Sequence, residues 1–116
     1  MRHQKKGKIL GREKDARQAL KMALLKNFFI YGRLKTTLAK AKMIKPFVEK
    51  IITFGRNSDL NSRRKLINMV SDRVLAKKII DEISPKYSNR KGGYTRIIKL
   101  APRKGDAAKL AVLELI

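Results

Sequence analysis

The end of the chain constrains its fold most. There the run Asn89-Arg90-Lys91-Gly92-Gly93-Tyr94-Thr95-Arg96-Ile97-Ile98-Lys99-Leu100 passes from a cationic, glycine-paired turn into strand-like sequence. Paired glycines let the backbone take positive φ or pass close to another backbone, so Gly92-Gly93 reads as a turn. A second loop follows at Arg103-Lys104-Gly105-Asp106, and after it the apolar run Leu110-Ala111-Val112-Leu113-Glu114-Leu115-Ile116. That run reads as a partner strand folding back on the first, which pins the cationic turn to a core. The upstream chain reads as the scaffold of this hairpin, with a second basic arm at its start.

Periodicity makes most of the scaffold helical. From Asp15 to about Tyr31 the set Ala16, Ala19, Leu20, Ala23, Leu24, Phe28 and Tyr31 keeps a three-to-four spacing, with Asp15 as N-cap and Gly32 as terminator. Phe28 and Phe29 belong to the core on this reading. Arg33-Leu34-Lys35-Thr36-Thr37 is a short strand, and Thr36 or Thr37 caps a second helix over 38–54 striped by Leu38, Ala41, Ile44, Val48, Ile51 and Ile52. Pro46 has no amide to bond four residues back, so a kink or split is expected near Lys45. Gly55-Arg56-Asn57-Ser58 is a turn, and Ser58 or Asp59 caps a third helix through Val70. Val74, Leu75, Ile79 and Ile83 stripe a fourth, which Ser84-Pro85 is expected to end. Residues 1–14 carry Arg2, Lys5, Lys6, Lys8, Arg12 and Lys14 with only Ile9 and Leu10 as apolar anchors, so a flexible basic arm is expected. Without a repeat or linker to divide it, 1–116 is expected to be one domain.

Charge decides the class of partner. The 116 residues hold 30 Lys+Arg against 9 Asp+Glu, a formal charge of +21, alongside 43% apolar residues. That apolar fraction supports one small core, whereas the charge exceeds what solubility needs and repels itself unless a polyanion neutralises it. Nucleic acid is the expected partner. The absence of cysteine excludes disulfides, thiolate metal sites and a thiol nucleophile. No apolar run approaches the roughly 18 residues of a membrane span, and the first residues lack the apolar segment of a signal peptide. A protein of the cytoplasm, or of an organelle with a bacterial-type interior, without a membrane partner is expected.

Catalytic material is scarce. His3 is the sole histidine and lies on the basic arm, where it suits a hydrogen-bonding contact better than a base awaiting an orienting carboxylate. Asp81 and Glu82 are adjacent on a helix and point about a hundred degrees apart, which disfavours a shared acid–base or two-metal site. No enzyme activity, cofactor, metal or small-molecule substrate is expected. Phosphate binding, in contrast, has its material: Arg90, Lys91 and Arg96 flank Gly92 and Gly93, whose amides can meet phosphate oxygens beside forked guanidinium groups. Tyr94 is placed to stack on an unpaired base, Arg103 and Lys104 lie across the hairpin, and Arg63-Arg64-Lys65 adds a third cluster. Asp106 is expected to fix its loop by accepting backbone amides.

Four blocks fall into a familiar order and spacing: Met1-Arg2-His3 with Lys5, Gly7 and Leu10-Gly11-Arg12; Thr36-Thr37-Leu38-Ala39-Lys40-Ala41-Lys42; Gly92-Gly93-Tyr94-Thr95-Arg96-Ile97; and Pro102-Arg103 with Gly105-Asp106-Ala107-Ala108. Over its whole length the chain resembles the bacterial large-subunit ribosomal protein seventeen family. The resemblance implies an α+β fold in two layers, with a helix, a strand, three helices and two strands, the strands forming a small three-stranded mixed sheet. It implies a structural constituent of the large ribosomal subunit that binds large-subunit ribosomal RNA near the peptide exit, beside ribosomal proteins twenty-two and thirty-two. Arg2, His3, Lys5, Arg12, Thr36, Lys40, Lys42, Arg63, Arg64, Gly92, Gly93, Tyr94, Arg96 and Arg103 occupy motif positions and are the implied RNA contacts. Local cation density adds Lys6, Lys8, Arg17, Arg90, Lys91 and Lys104. Where the family usually has a His-Arg and then an Arg-Asn pair, this chain has Ala16-Arg17 and Met22-Ala23, so of those contacts only Arg17 carries over. Glu13 and Asp15 make that junction more acidic.

Two other classes compete. A general DNA-binding, nucleoid-type protein accounts for the same charge, but the sequence has no self-complementary heptad or exposed apolar wedge. A cationic membrane-surface protein or nuclease-like enzyme lacks, respectively, a signal peptide and a metal-capable carboxylate pair.

Overall fold

The structure, a computed structural model, describes residues 14–56 and 59–116. Arg2, His3, Lys5, Lys6, Lys8 and Arg12 of the expected arm lie outside the described residues, as does Ser58. Lys14, expected in the arm, opens the first helix. In chain order the elements are α1 (Lys14–Tyr31), β1 (Arg33–Thr37), α2 (Leu38–Gly55), α3 (Leu60–Val70), α4 (Arg73–Lys78), a π-helical segment (Ile79–Ile83), a 3-10 turn (Ser84–Tyr87), β2 (Thr95–Lys99) and β3 (Leu110–Leu115). The α+β order expected from the sequence is the order observed.

Helix α1 ends where expected, because Gly32 takes φ +76 and donates its amide to the Phe28 carbonyl at 2.7 Å. Its start differs: Asp15 lies inside the first turn rather than capping it. Its buried side is Leu25, Phe28 and Phe29, whereas Ala16, Ala19, Ala23 and Tyr31 face solvent. The large side chains set the rotation of the helix, since each removes far more apolar area from water than a methyl group does. The two phenylalanine rings meet edge to face with centroids 5.2 Å apart.

Thr37 caps α2 by accepting the Lys40 amide at 3.4 Å. Pro46 does not split this helix. An interior proline costs about 3 kcal/mol or more, but Ile44, Val48, Ile51 and Ile52 are all fully buried, each stabilising by roughly 1.5–3 kcal/mol. Gly55 belongs to the helix rather than to a turn, and its reason is contact: a Cβ there would collide with Ser84 Oγ. Buried Ser84 donates that hydroxyl to the Ile52 carbonyl at 3.1 Å, so the end of α2 lies flush against the later helical rod.

Asp59 caps α3, accepting the Ser62 amide at 3.2 Å, and hydrogen bonding from Ser62 holds its carboxyl below the ordinary carboxylate range. Asp72 caps α4 through the Leu75 amide at 3.1 Å. Leu75, Ile79, Ile83 and Tyr87 then bury a strict four-residue repeat. Four residues of α-helix over-rotate by about 40°; the wider π turn returns the repeat toward one face. Val74 is off that stripe, at 81% exposure. Ser84-Pro85 does not end the rod, because Pro85 sits in the first turn of the 3-10 segment, where a missing amide forfeits no bond.

The sheet has the order β1-β3-β2 with both pairings antiparallel. The expected mixed sheet is therefore corrected: β1 and β2 run in the same direction, but β3 lies between them and no parallel pair forms. The register runs from Arg33↔Glu114 to Thr37↔Leu110 on one side of β3 and from Thr95↔Leu115 to Lys99↔Ala111 on the other. With a side-chain period of two, Leu34, Leu113 and Ile97 share the face packed on the helices. Arg33, Glu114 and Arg96 form a row on the opposite face.

Candidate nucleic-acid interface

The segment 88–95 leads from the 3-10 turn into β2, and α2 holds it with three side chains. Glu49, Thr53 and Arg56 recur at helical spacing on one side of the last turns of α2. The Glu49 carboxylate accepts the Gly93 amide at 3.0 Å, the Tyr94 amide at 3.2 Å and the Thr95 hydroxyl at 2.9 Å. The Arg56 guanidinium donates to the Ser88 carbonyl at 3.0 Å, to the Arg90 carbonyl, and to the Tyr94 hydroxyl at 2.8 Å. Thr53 Oγ1 lies 3.1 Å from the same hydroxyl. Gly93 takes φ +65, the left-handed conformation that turns the chain into β2.

Two aromatic rings fasten this loop to the chain end. Tyr87 and Tyr94 pack with centroids 5.4 Å apart, the Tyr87 hydroxyl donates to the Ile116 carbonyl at 2.9 Å, and the Ile116 amide donates to the Tyr94 carbonyl at 2.9 Å. Burial pushes the Tyr87 phenol above its ordinary range, with the Arg90 charge opposing. Outside this frame Arg90 and Lys91 are exposed.

Two expected roles change here. Tyr94 is 0% exposed, so its ring is a core side chain and is not available to stack on a base. Its polar tip and apolar body both find protein partners. Of the paired glycines, Gly93 directs its amide to the Glu49 carboxylate, so that amide and its Tyr94 neighbour already hold an anion belonging to the protein. Gly92 is exposed.

The remaining expected residues are dispersed. Arg96 is exposed on the outer sheet face and pairs with Glu114 at 2.7 Å, directly across from it. Arg103 and Lys104 are exposed on the β2–β3 connection, where Arg103 contacts Asp106 at 3.4 Å. Asp106 accepts the Ala108 amide at 3.1 Å, the loop-fixing role expected of it. Thr36 is half-buried within β1 opposite Ala111. Lys40 is half-buried on α2, and Lys42 lines an open cleft of about 410 Å³ with Thr37, Leu38, Ala39, Ala108 and Lys109. Arg63 and Arg64 are exposed on α3. Arg17 is half-buried on α1, with its Nε enclosed and unpartnered among the described residues. The structure thus gathers Arg90 and Lys91 on one loop and sets Arg96 on the strand beyond; Arg17, Arg63 and Arg64 lie on other elements.

Sequence reasoning missed four residues of this region. Arg33 and Lys35 alternate onto the outer face of β1, in the rows that contain Glu114 and Arg96, and Val112 and Ile98; period-two spacing carried that signal. Glu49 and Arg56 carried no such signal, because their partners, backbone groups and the hydroxyls of Tyr94 and Thr95, lie 32 to 46 residues away.

A family model for ribosomal protein L17 matches residues 20–116. The large ribosomal subunit protein bL17 of Halothermothrix orenii is 49% identical over 107 residues, covering 92% of this chain and 94% of the relative. The protein of the same name from a Thermoanaerobacter species is 48% identical, covering 92% and 96%. That from Thermodesulfovibrio yellowstonii is 43% identical over 116 residues, covering 100% and 87%. The family is one of structural ribosomal proteins rather than enzymes. Matched nearly end to end and at this identity, the chain belongs to the ribosomal protein L17 family.

Proposed function

We propose that the protein is an architectural constituent of the large ribosomal subunit that binds large-subunit ribosomal RNA through its basic arm and the loops flanking β2. The observation that carries this reading is unneutralised charge. The chain bears +21, yet among the described residues only Arg96–Glu114 and Arg103–Asp106 form ion pairs. Four of the acids serve the fold: Asp59 and Asp72 cap helices, and Glu49 and Asp106 hold loops. The exposed cations are left to meet phosphates, with shape and 2′-hydroxyl groups supplying selectivity. Family membership supports the large subunit as the assembly; the peptide-exit region and ribosomal proteins twenty-two and thirty-two as its surroundings belong to the proposal and rest on the motif resemblance alone.

The test is binding of the purified protein to protein-free large-subunit ribosomal RNA and to an unrelated DNA duplex across a salt series. Tighter binding to the ribosomal RNA at every salt concentration is expected, with affinity falling steeply as salt rises. Equal affinity and equal slope on the duplex favour the nucleoid-type reading and overturn this one.

A further inference from the structure

The loop assigned above to RNA is held by an acid. We propose that Glu49 and Arg56 are positioning residues for RNA binding, and that Glu49 raises RNA affinity although its charge opposes that of the phosphates. The proposal rests on the reading of the loop 88–94 as an RNA contact. Its support is the geometry of the brace. Glu49 accepts two consecutive backbone amides and the Thr95 hydroxyl with its two oxygens, while Arg56 grips two backbone carbonyls and the buried Tyr94 hydroxyl. Opposite charges thus hold the two polarities of one stretch of backbone to the same helix.

Local sequence does not order this loop alone. Two consecutive glycines widen its conformational choice, and ordering each residue costs roughly 1–2 kcal/mol. The brace meets that cost during folding, so Arg90 and Lys91 are presented without ordering a loop when RNA arrives. The amides of Gly93 and Tyr94 are already occupied by Glu49, which leaves the exposed Arg90 and Lys91 side chains as the cations that reach phosphate.

Charge and position predict opposite signs for one substitution. Glu49→Gln makes the protein more cationic, so a purely electrostatic role predicts tighter binding. Positioning predicts weaker binding of the full-length variant to protein-free large-subunit ribosomal RNA, on the order of tenfold. It also predicts a salt dependence shallower by about one to two phosphate contacts. Arg56→Lys, which keeps the charge and loses the fork, should act in the same direction, and it carries the comparison if Glu49→Gln does not fold. The loss should vanish when either change is made in the double variant Arg90→Ala with Lys91→Ala, since the brace acts through those side chains.

Unchanged or tighter binding by Glu49→Gln and Arg56→Lys overturns the proposal. So does a loss that persists undiminished in the Arg90→Ala, Lys91→Ala background, because the brace would then act on the whole fold. If that double variant itself binds like the native protein, the underlying reading of the loop fails first and takes the proposal with it.

Discussion

Two loops flank β2, and they look alike in sequence but are held in opposite ways. Arg90-Lys91-Gly92-Gly93 precedes the strand and Arg103-Lys104-Gly105-Asp106 follows it. The first is bound from outside: α2 reaches it through Glu49 and Arg56, and it buries Tyr94 completely. The second closes on itself, with the Arg103 amide donating to the Ala108 carbonyl and the Ala107 amide to the Arg103 carbonyl, both at 2.9 Å. Its acid, Asp106, also acts within the loop, and residues 101–107 are all exposed. A cationic, glycine-bearing turn therefore carries no information about its own rigidity; an aromatic residue beside it, and a helix within reach of that residue, decide the matter.

The contrast can be broken most severely at Tyr94. Truncation to alanine opens a cavity under the first loop and should cost about 3–5 kcal/mol of unfolding free energy, measured by urea denaturation. A cost below about 1 kcal/mol would remove the first loop from the core and dissolve the distinction, since surface substitutions typically fall within ±0.5 kcal/mol.

A matched pair of arginines sharpens it. Arg56→Ala forfeits charge-assisted bonds to two carbonyls and a buried hydroxyl and should destabilise by about 2 kcal/mol. Arg103→Ala removes one exposed ion pair and should change stability by about 0.5 kcal/mol or less. Comparable losses in the two denaturation curves would show that both loops are integrated to the same degree.

The smallest effect lies in the second loop. Ala107 holds φ +56, a left-handed conformation disfavoured for an L side chain. Ala107→Gly relieves that strain while adding unfolded-state entropy, so a net gain of only a few tenths of a kcal/mol is expected by thermal denaturation. A marked loss instead would mean that the Ala107 methyl packs as part of the fold and that the second loop is less self-contained than its bonding indicates.

Much of the molecule is legible locally. Thr37 and Asp59 cap their helices as hydroxyl and carboxylate oxygens beside an amide three residues on, and Gly32 stops α1 because glycine takes positive φ without penalty. The stripe Ala41, Ile44, Val48, Ile51 and Ile52 needs only the helical period to be recognised. The likeness of four motif blocks to the ribosomal protein seventeen family was also in the sequence, and the relatives' end-to-end identity agrees with it.

What stayed hidden depended on atoms far along the chain. Pro46 leaves α2 whole because the opposite side of that helix is buried against other elements, a benefit no local rule counts. Ser84-Pro85 continues as a 3-10 turn, with Ser84 bonded to Ile52 and packed where Gly55 leaves room. β3 inserts between β1 and β2 and makes every pairing antiparallel.

Sequence by itself determined the order of elements, most of the caps, the excess of positive charge and the family. Each of these follows from neighbouring residues, from composition or from motifs in register. Tertiary structure alone decided that Tyr94 lies inside and that Glu49 and Arg56 shape the cationic loop. The groups those side chains bond are brought to them only when α2 packs beside the start of β2. Hydrogen bonds between such distant partners depend on three-dimensional placement, which no local pattern of residues encodes.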